Sequence, residues 1–219
     1  MARPSKAQAA VDDGDGPEPS PVAARTARRA LAARESAYID EVQRLLDAGL
    51  DLMVALGDER TPRVAEIVER AGLSNQAFYR HFASKDELIA AVVEAGADRL
   101  ESYLRHQLAK VDDPELKVRA WIVGVASQAQ RPAVARQTRA AMHNLVRLSA
   151  EVRQTVSVPA TDHVLVDALR DAGSPDPERD AVAISLLAFA RLEQFLWRSP
   201  PSDEDVDQLV EFCLAAIRR

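Results

Sequence analysis

The property of this chain that most restricts its fold is the period of its apolar residues. From Ser36 almost to the end they recur at helical spacing, and no period-two alternation lasts long enough to build a sheet. The chain is therefore expected to be all-α. Ile39, Val42, Leu45, Leu46, Leu52 and Met53 define the inner face of a first helix, which runs down at Gly57-Asp58-Glu59. Thr61-Pro62 reads as the start of a second helix, with the hydroxyl available as a cap and Pro tolerated in the first turn. That helix turns Val64, Ile67, Val68 and Ala71 inward and stops at Gly72, a residue suited to a left-handed turn. Ser74 caps a very short third helix over 75–82, and Ser84 with Glu87 forms a capping box for a fourth, from Lys85 to about Gln107. Helix, glycine turn and short helix in this order are the layout of a helix-turn-helix.

Beyond the fourth helix the pattern predicts five more helical segments, with breaks at 111–114, 130–132, 149–150, 172–177 and 198–202, and Pro159 kinking or starting one of them. At the other end, residues 1–24 hold four of the twelve prolines and no aromatic residue, and are expected to be disordered. Arg25, Arg28, Arg29 and Arg34 follow, with no acid among them until Glu35. This run reads either as a solvated tail or helix end, or as an arm that touches phosphates. The net charge of −6 divides into −2 over residues 1–21, −1 over 22–88 and −3 over 89–219, which excludes an indiscriminate nucleic-acid coat. A single cysteine, Cys213, excludes an intrachain disulfide and a cysteine-based metal cage and points to the cytoplasm. No apolar run has the length of a membrane span.

Ile67, Ala71-Gly72-Leu73-Ser74, Phe78-Tyr79-Arg80-His81-Phe82 and Ser84-Lys85-Asp86-Glu87-Leu88 carry the functional signal. With them, residues 62–96 resemble the DNA-binding domain of the TetR family of bacterial transcriptional regulators; the recognisable domain is 36–88, and the rest is similar only in length and helix count. The resemblance implies an N-terminal three-helix helix-turn-helix domain followed by a helical ligand-binding and dimerisation domain. The expected organisation is a disordered tail (1–24), a DNA-binding domain with a basic N-terminal arm (25–88) and an effector-binding and dimerisation domain (89–219). On the third helix Phe78 and Phe82 share a face and are expected to pack beneath Ile67 and Leu88. Asn75, Gln76, Ala77, Tyr79, Arg80 and His81 remain for solvent or DNA. Asn75 and Gln76 carry amides able to pair bidentately with adenine, and Ala77 suits a thymine methyl. The family likeness places Tyr79, His81 and Lys85 at the DNA backbone, with Arg63 and Arg80 as further contacts. The plainer alternative for each is a solvated surface group, and for His81 a hydrogen bond between helices. Two departures from the family pattern, Pro62-Arg63 in place of Thr-Thr and Asn75-Gln76-Ala77 in place of a small-residue turn, prevent any transfer of the operator sequence.

One helix-turn-helix makes few phosphate contacts, so two copies about one DNA turn apart are expected. Ala181, Ile184, Ala188, Leu192 and Phe195 form one apolar stripe, and Leu209, Phe212, Cys213, Ala216 and Ile217 another. The resemblance implies that such helices from two subunits form a four-helix bundle; the alternative is that both stripes close the monomer core. It also implies an effector pocket among Tyr103, Trp121, Ile122, Met142, His143, Leu145, Val158, His163 and Leu165, for which plain core is the alternative. The function so implied is a dimeric repressor on a palindromic operator, released when a small apolar effector shifts the fourth helix. A helical enzyme and a protein-interaction module are the competing readings. His106, His143 and His163 are scattered, and no HExxH, glycine-rich phosphate loop or nucleophile–base frame is present. No catalytic residue, metal or cofactor is therefore expected.

Overall fold

The computed structural model describes residues 20–156 and 161–217, and among these it contains ten helices and no strand. They are α1 (Pro21–Leu56), α2 (Val64–Ala71), α3 (Asn75–His81), α4 (Lys85–Leu108), α5 (Pro114–Gln130), α6 (Pro132–Val146), α7 (Ala150–Thr155), α8 (His163–Asp171), α9 (Pro177–Trp197) and α10 (Asp203–Ile217). Among the described residues six helices rather than five follow α4, the segment expected over 151–171 being represented by α7 and α8; Pro159 lies outside the described residues. Prolines expected only to break helices also start them: Pro114 and Pro177 follow the caps Asp113 and Asp176, and Pro132 opens α6. Among the described residues no helix is long and apolar enough to cross a membrane.

Internal contacts divide the chain into two units, Met1–Asp40 and Glu41–Arg219. In the first, the expected disordered tail is corrected in part: residues 1–19 lie outside the described residues, but from Pro21 onward the chain is helical. The cause is local. Ser20 Oγ accepts from the Ala23 N–H at 3.2 Å, Pro21 opens the helix, and the run that follows is rich in Ala and Arg, both strong helix formers. α1 therefore starts well before Ser36. Ile39, expected in the core, is 58 % exposed, as are Val22, Leu31 and Tyr38 to similar degrees.

In the second unit, two apolar clusters form. One gathers Leu45 and Met53 of α1, Ile67, Val68 and Ala71 of α2, Phe78 and Phe82, Leu88, Ile89 and Val92 of α4, and Ala140 and Leu148 from α6 and its end. The other gathers Leu104 and Leu108 of α4, Trp121 and Ile122 of α5, Leu165 and Leu169 of α8, and the inner faces of α9 and α10. The expected boundary between residues 88 and 89 thus falls inside α4, which contributes its beginning to one cluster and its end to the other. Glycines allow α4 its close neighbours. A Cβ on Gly49 would stand 2.9 Å from Leu88 Cδ2, and one on Gly124 only 2.5 Å from Leu104 Cδ2.

Ile184, Ala188, Leu192, Phe195, Leu209 and Cys213, expected at a dimer interface, are instead closed into the second cluster. Those stripes are the inner faces of α9 and α10. The apolar groups left outward include Val182, Leu186 and Trp197 on α9, with Leu186 68 % exposed, and Phe212 and Ala216 on α10. Burial pushes the Cys213 thiol up to about 11.

Candidate nucleic-acid interface

α2 buries Ile67, Val68 and Ala71 at helical spacing, and its end is set by Gly72 at φ 64°. Two hydrogen bonds close that end, from Gly72 N–H to Glu69 O (3.2 Å) and from Leu73 N–H to Val68 O (2.9 Å), the pair that defines a Schellman turn. The helix begins at Val64 rather than at Pro62, because the cap comes from another source than the expected Thr61. Glu66 reaches back to accept the Arg63 N–H at 2.9 Å, while both guanidinium nitrogens of Arg60 donate to the same carboxylate at 2.8 and 2.6 Å. These bonds, Arg60 first, hold the Glu66 carboxyl down at about 2.

α3 has only seven residues, too few to persist without tertiary support. Ser74 Oγ accepts the Ala77 N–H at 3.1 Å, and the fully buried Phe78 pins the helix from below, its ring 5.9 Å from Phe82. The next helix starts with Ser84 accepting from Glu87 N–H (3.1 Å) while the Glu87 carboxylate accepts from Ala83 N–H. This is the expected capping box shifted by one amide.

Asn75, Gln76, Tyr79 and Arg80 are exposed together on the outer face of α3. Ala77 is not with them: it is 6 % exposed and lies on the inner stripe with Phe78, so its methyl is unavailable to a thymine. His81 also turns inward. Its side chain is fully buried and Nε2 stands 2.7 Å from Glu41 Oε2 of α1, which is the bond between helices rather than the outward contact. Arg80 Nη2 donates to the same oxygen at 2.5 Å. Hydrogen bonds from His81 and then Arg80 hold the Glu41 carboxyl below the usual carboxylate range. Lys85 is half-buried, its Nζ donating to Thr61 Oγ1 at 2.9 Å, and Arg63 is exposed at the α2 cap. Sequence reasoning missed both Glu41 and the Arg60–Glu66 pair. Glu41 and His81 are forty residues apart, and no local pattern announces their meeting.

Of the residues expected around an effector pocket, Tyr103, Trp121, Ile122, Met142 and Leu165 gather in the second cluster. Trp121, Ile122 and Leu165 are fully buried core; the Trp121 N–H donates to Thr161 O at 3.1 Å, and its ring meets Phe189 edge-on. Tyr103 and Met142 pack half-buried against that cluster. Leu145 belongs to the other cluster, His143 Nδ1 lies 3.4 Å from Asp58 Oδ1, and Arg147 donates to Asp58 O at 2.7 Å, so the end of α6 abuts the loop after α1. His163 is on the surface beside Arg105 and Glu101, and Val158 lies outside the described residues.

A Schellman turn joining two short helices, with a polar outer stripe on the second and a sealed inner one, defines a helix-turn-helix protein. Residues 45–92 match the model of the bacterial regulatory proteins, tetR family. It is 28 % identical over 149 residues to the HTH-type transcriptional activator FasR of Mycolicibacterium smegmatis, a match covering 67 % of each protein. Its fold is similar to that of a transcriptional regulator from Rhodococcus sp. Rha1 (TM-score 0.62, 23 % identity, covering 80 % of this chain and 95 % of that one). It is also similar to that of the TetR family transcriptional regulator PfmR from Thermus thermophilus (TM-score 0.54, 20 % identity, 80 % and 97 % covered).

Proposed function

We propose that this protein is a cytoplasmic repressor that binds a palindromic operator as a homodimer, with the outer face of α3 in the major groove. The carrying observation is that Asn75, Gln76, Tyr79 and Arg80 share one exposed face of a helix whose opposite face is sealed. In this reading Asn75 and Gln76 meet base edges, and Tyr79, Arg80, Lys85 and Arg63 meet phosphates. Residues 25–88 are the DNA-binding part, and 89–219 the part that dimerises and takes an effector. The outward stripes of Val182, Leu186 and Trp197 on α9 and of Phe212 and Ala216 on α10 support dimerisation, since apolar surface of this kind is normally covered. A small apolar effector, entering where Tyr103 and Met142 pack only half-buried, acts on α4 and through it on the spacing of the two α3 helices. The match to an activator favours a second reading on one point, the sign of regulation.

Gel-shift titration on DNA upstream of the protein's own gene tests the reading. Tyr79→Phe and Lys85→Ala are expected to weaken binding to every duplex, and Gln76→Ala to change the preferred sequence. Leu186→Glu with Phe212→Glu is expected to give monomers in sedimentation velocity and to abolish the specific complex. Unchanged preference in Gln76→Ala would remove that side chain from base reading; retention on duplex DNA that ignores salt would support an interaction module instead. A reporter assay separates repression from activation.

A further inference from the structure

The described part of the first unit carries a dense run of arginines. Arg25, Arg28 and Arg29 stand at i, i+3 and i+4 and, with Pro21 and Ala32, line one open face of the helix. Arg34 adds a fourth guanidinium, and no acid occurs from residue 20 to 34. All four arginines are exposed, and among the described residues none of them is in an ion pair. Arg28 Nε donates to the Ala24 carbonyl at 3.3 Å, a bond within the same helix. Some arginines of the second unit do find carboxylates, among them Arg60 with Glu66, Arg80 with Glu41, Arg119 with Asp207 and Arg170 with Asp167. Like charges one turn apart oppose helix formation, so this face repels itself until a polyanion neutralises it.

We infer that this face is a second DNA-binding site, an arm that grips backbone phosphates beside the operator without reading sequence. The inference rests on the DNA-binding role proposed for α3. It commits to phosphate because residues 21–34 contain no Asn or Gln for bidentate base contacts, while planar guanidiniums suit phosphate oxygens. It commits to DNA because the arm is covalently tied to a helix-turn-helix, so that a duplex held there meets the arginines at high effective concentration.

The test uses the full chain, a random-sequence duplex and the operator selected by the wild type, with affinity measured by fluorescence anisotropy across salt concentrations. Arg25→Gln/Arg28→Gln/Arg29→Gln keeps strong helix formers on an exposed face and removes three cations. Removing one cation from a phosphate flattens the slope of log K against log salt by about 0.9, so removing three flattens it by about 2.7. Between 50 and 200 mM salt the wild type then loses about 40-fold more affinity than the variant for each engaged arm. The matching triple Arg→Lys variant is expected to keep the wild-type slope, and base preference to stay the same in both. An unchanged slope in the Gln variant, with salt-dependent binding intact, overturns the arm and leaves the α3 reading standing. Altered base preference overturns the phosphate assignment. Absence of any salt-dependent binding by the wild type is the separate failure of the underlying DNA-binding role.

Discussion

Replacing Gly124 and Gly96 by alanine, one at a time, puts the same methyl group on two helices with opposite expected results. On α4, a Cβ at Gly96 would meet nothing nearer than Arg99 Nη2 at 3.8 Å, an ordinary contact with the end of a long side chain. The gain is the backbone one, about 0.5–1 kcal/mol for Gly to Ala in a helix interior. On α5, a Cβ at Gly124 would lie 2.5 Å from Leu104 Cδ2 and 3.5 Å from Tyr103 Cε1. Carbon atoms sit at about 3.5–4.0 Å, so the overlap with Leu104 is about 1 Å. Leu104 is fully buried and has no solvent to swing into, so α4 and α5 must separate. Such overpacking costs about 1–3 kcal/mol, leaving Gly124→Ala a net loss of up to about 2.5 kcal/mol after the same backbone gain. For a chain of this size that is a fall in Tm of up to about 10 °C, against a rise of about 1–4 °C for Gly96→Ala. Thermal denaturation followed by circular dichroism measures both. A rise in Tm for both variants would refute the close α4–α5 crossing, and with it the route by which the second cluster bears on the helix that begins at Lys85.

Glu41→Gln is expected to release Arg80 and to add one net positive charge beside the α3 face. Binding to random duplex DNA should tighten and its salt slope steepen by about 0.9 for each added phosphate contact, lowering the ratio of specific to random affinity. Unchanged random-DNA binding would show that the Glu41–Arg80 pair does not restrain that side chain. The Glu66 carboxyl, held at about 2 from its ordinary 4.5, contributes stability that is fully present above the ordinary value and is lost as pH falls toward the depressed one. Acid titration of Glu66→Gln, in which Arg60 keeps its charge, should therefore show less loss of stability between these two values than the wild type; parallel curves would contradict the Arg60–Glu66 link.

Much of the helix-turn-helix was legible because its determinants are local. Gly72 ends α2 by its own backbone freedom, Ser74 and Ser84 cap the helices they precede, and Phe78 and Phe82 share a face by spacing alone. The outer face of α3 was partly misread for the opposite reason. A seven-residue helix has room for several inner stripes, and packing against α1 and α2 decided that Ala77 and His81 go inward. On α9 and α10 the sequence offers apolar residues all around, so periodicity cannot tell core from outer surface. The apolar stripes chosen from it proved to be the core, leaving Leu186 and Phe212 outside.

The sequence by itself determined an all-helical chain, the positions of most helix ends and the glycine turn of a DNA-binding motif, since caps, proline breaks and apolar period act within a few residues of one another. The tertiary structure alone decided what those helices do with their polar groups. Glu41 holds Arg80 and His81 across forty residues, Thr61 takes the ammonium of Lys85, and α4 serves both clusters. Such contacts depend on which helices cross and at what distance, quantities set by the packing of the whole second unit and absent from any local pattern. The four arginines of the first unit stand apart from this: their charge was plain in the sequence, and the helix that lines three of them along one face turns that charge into a surface.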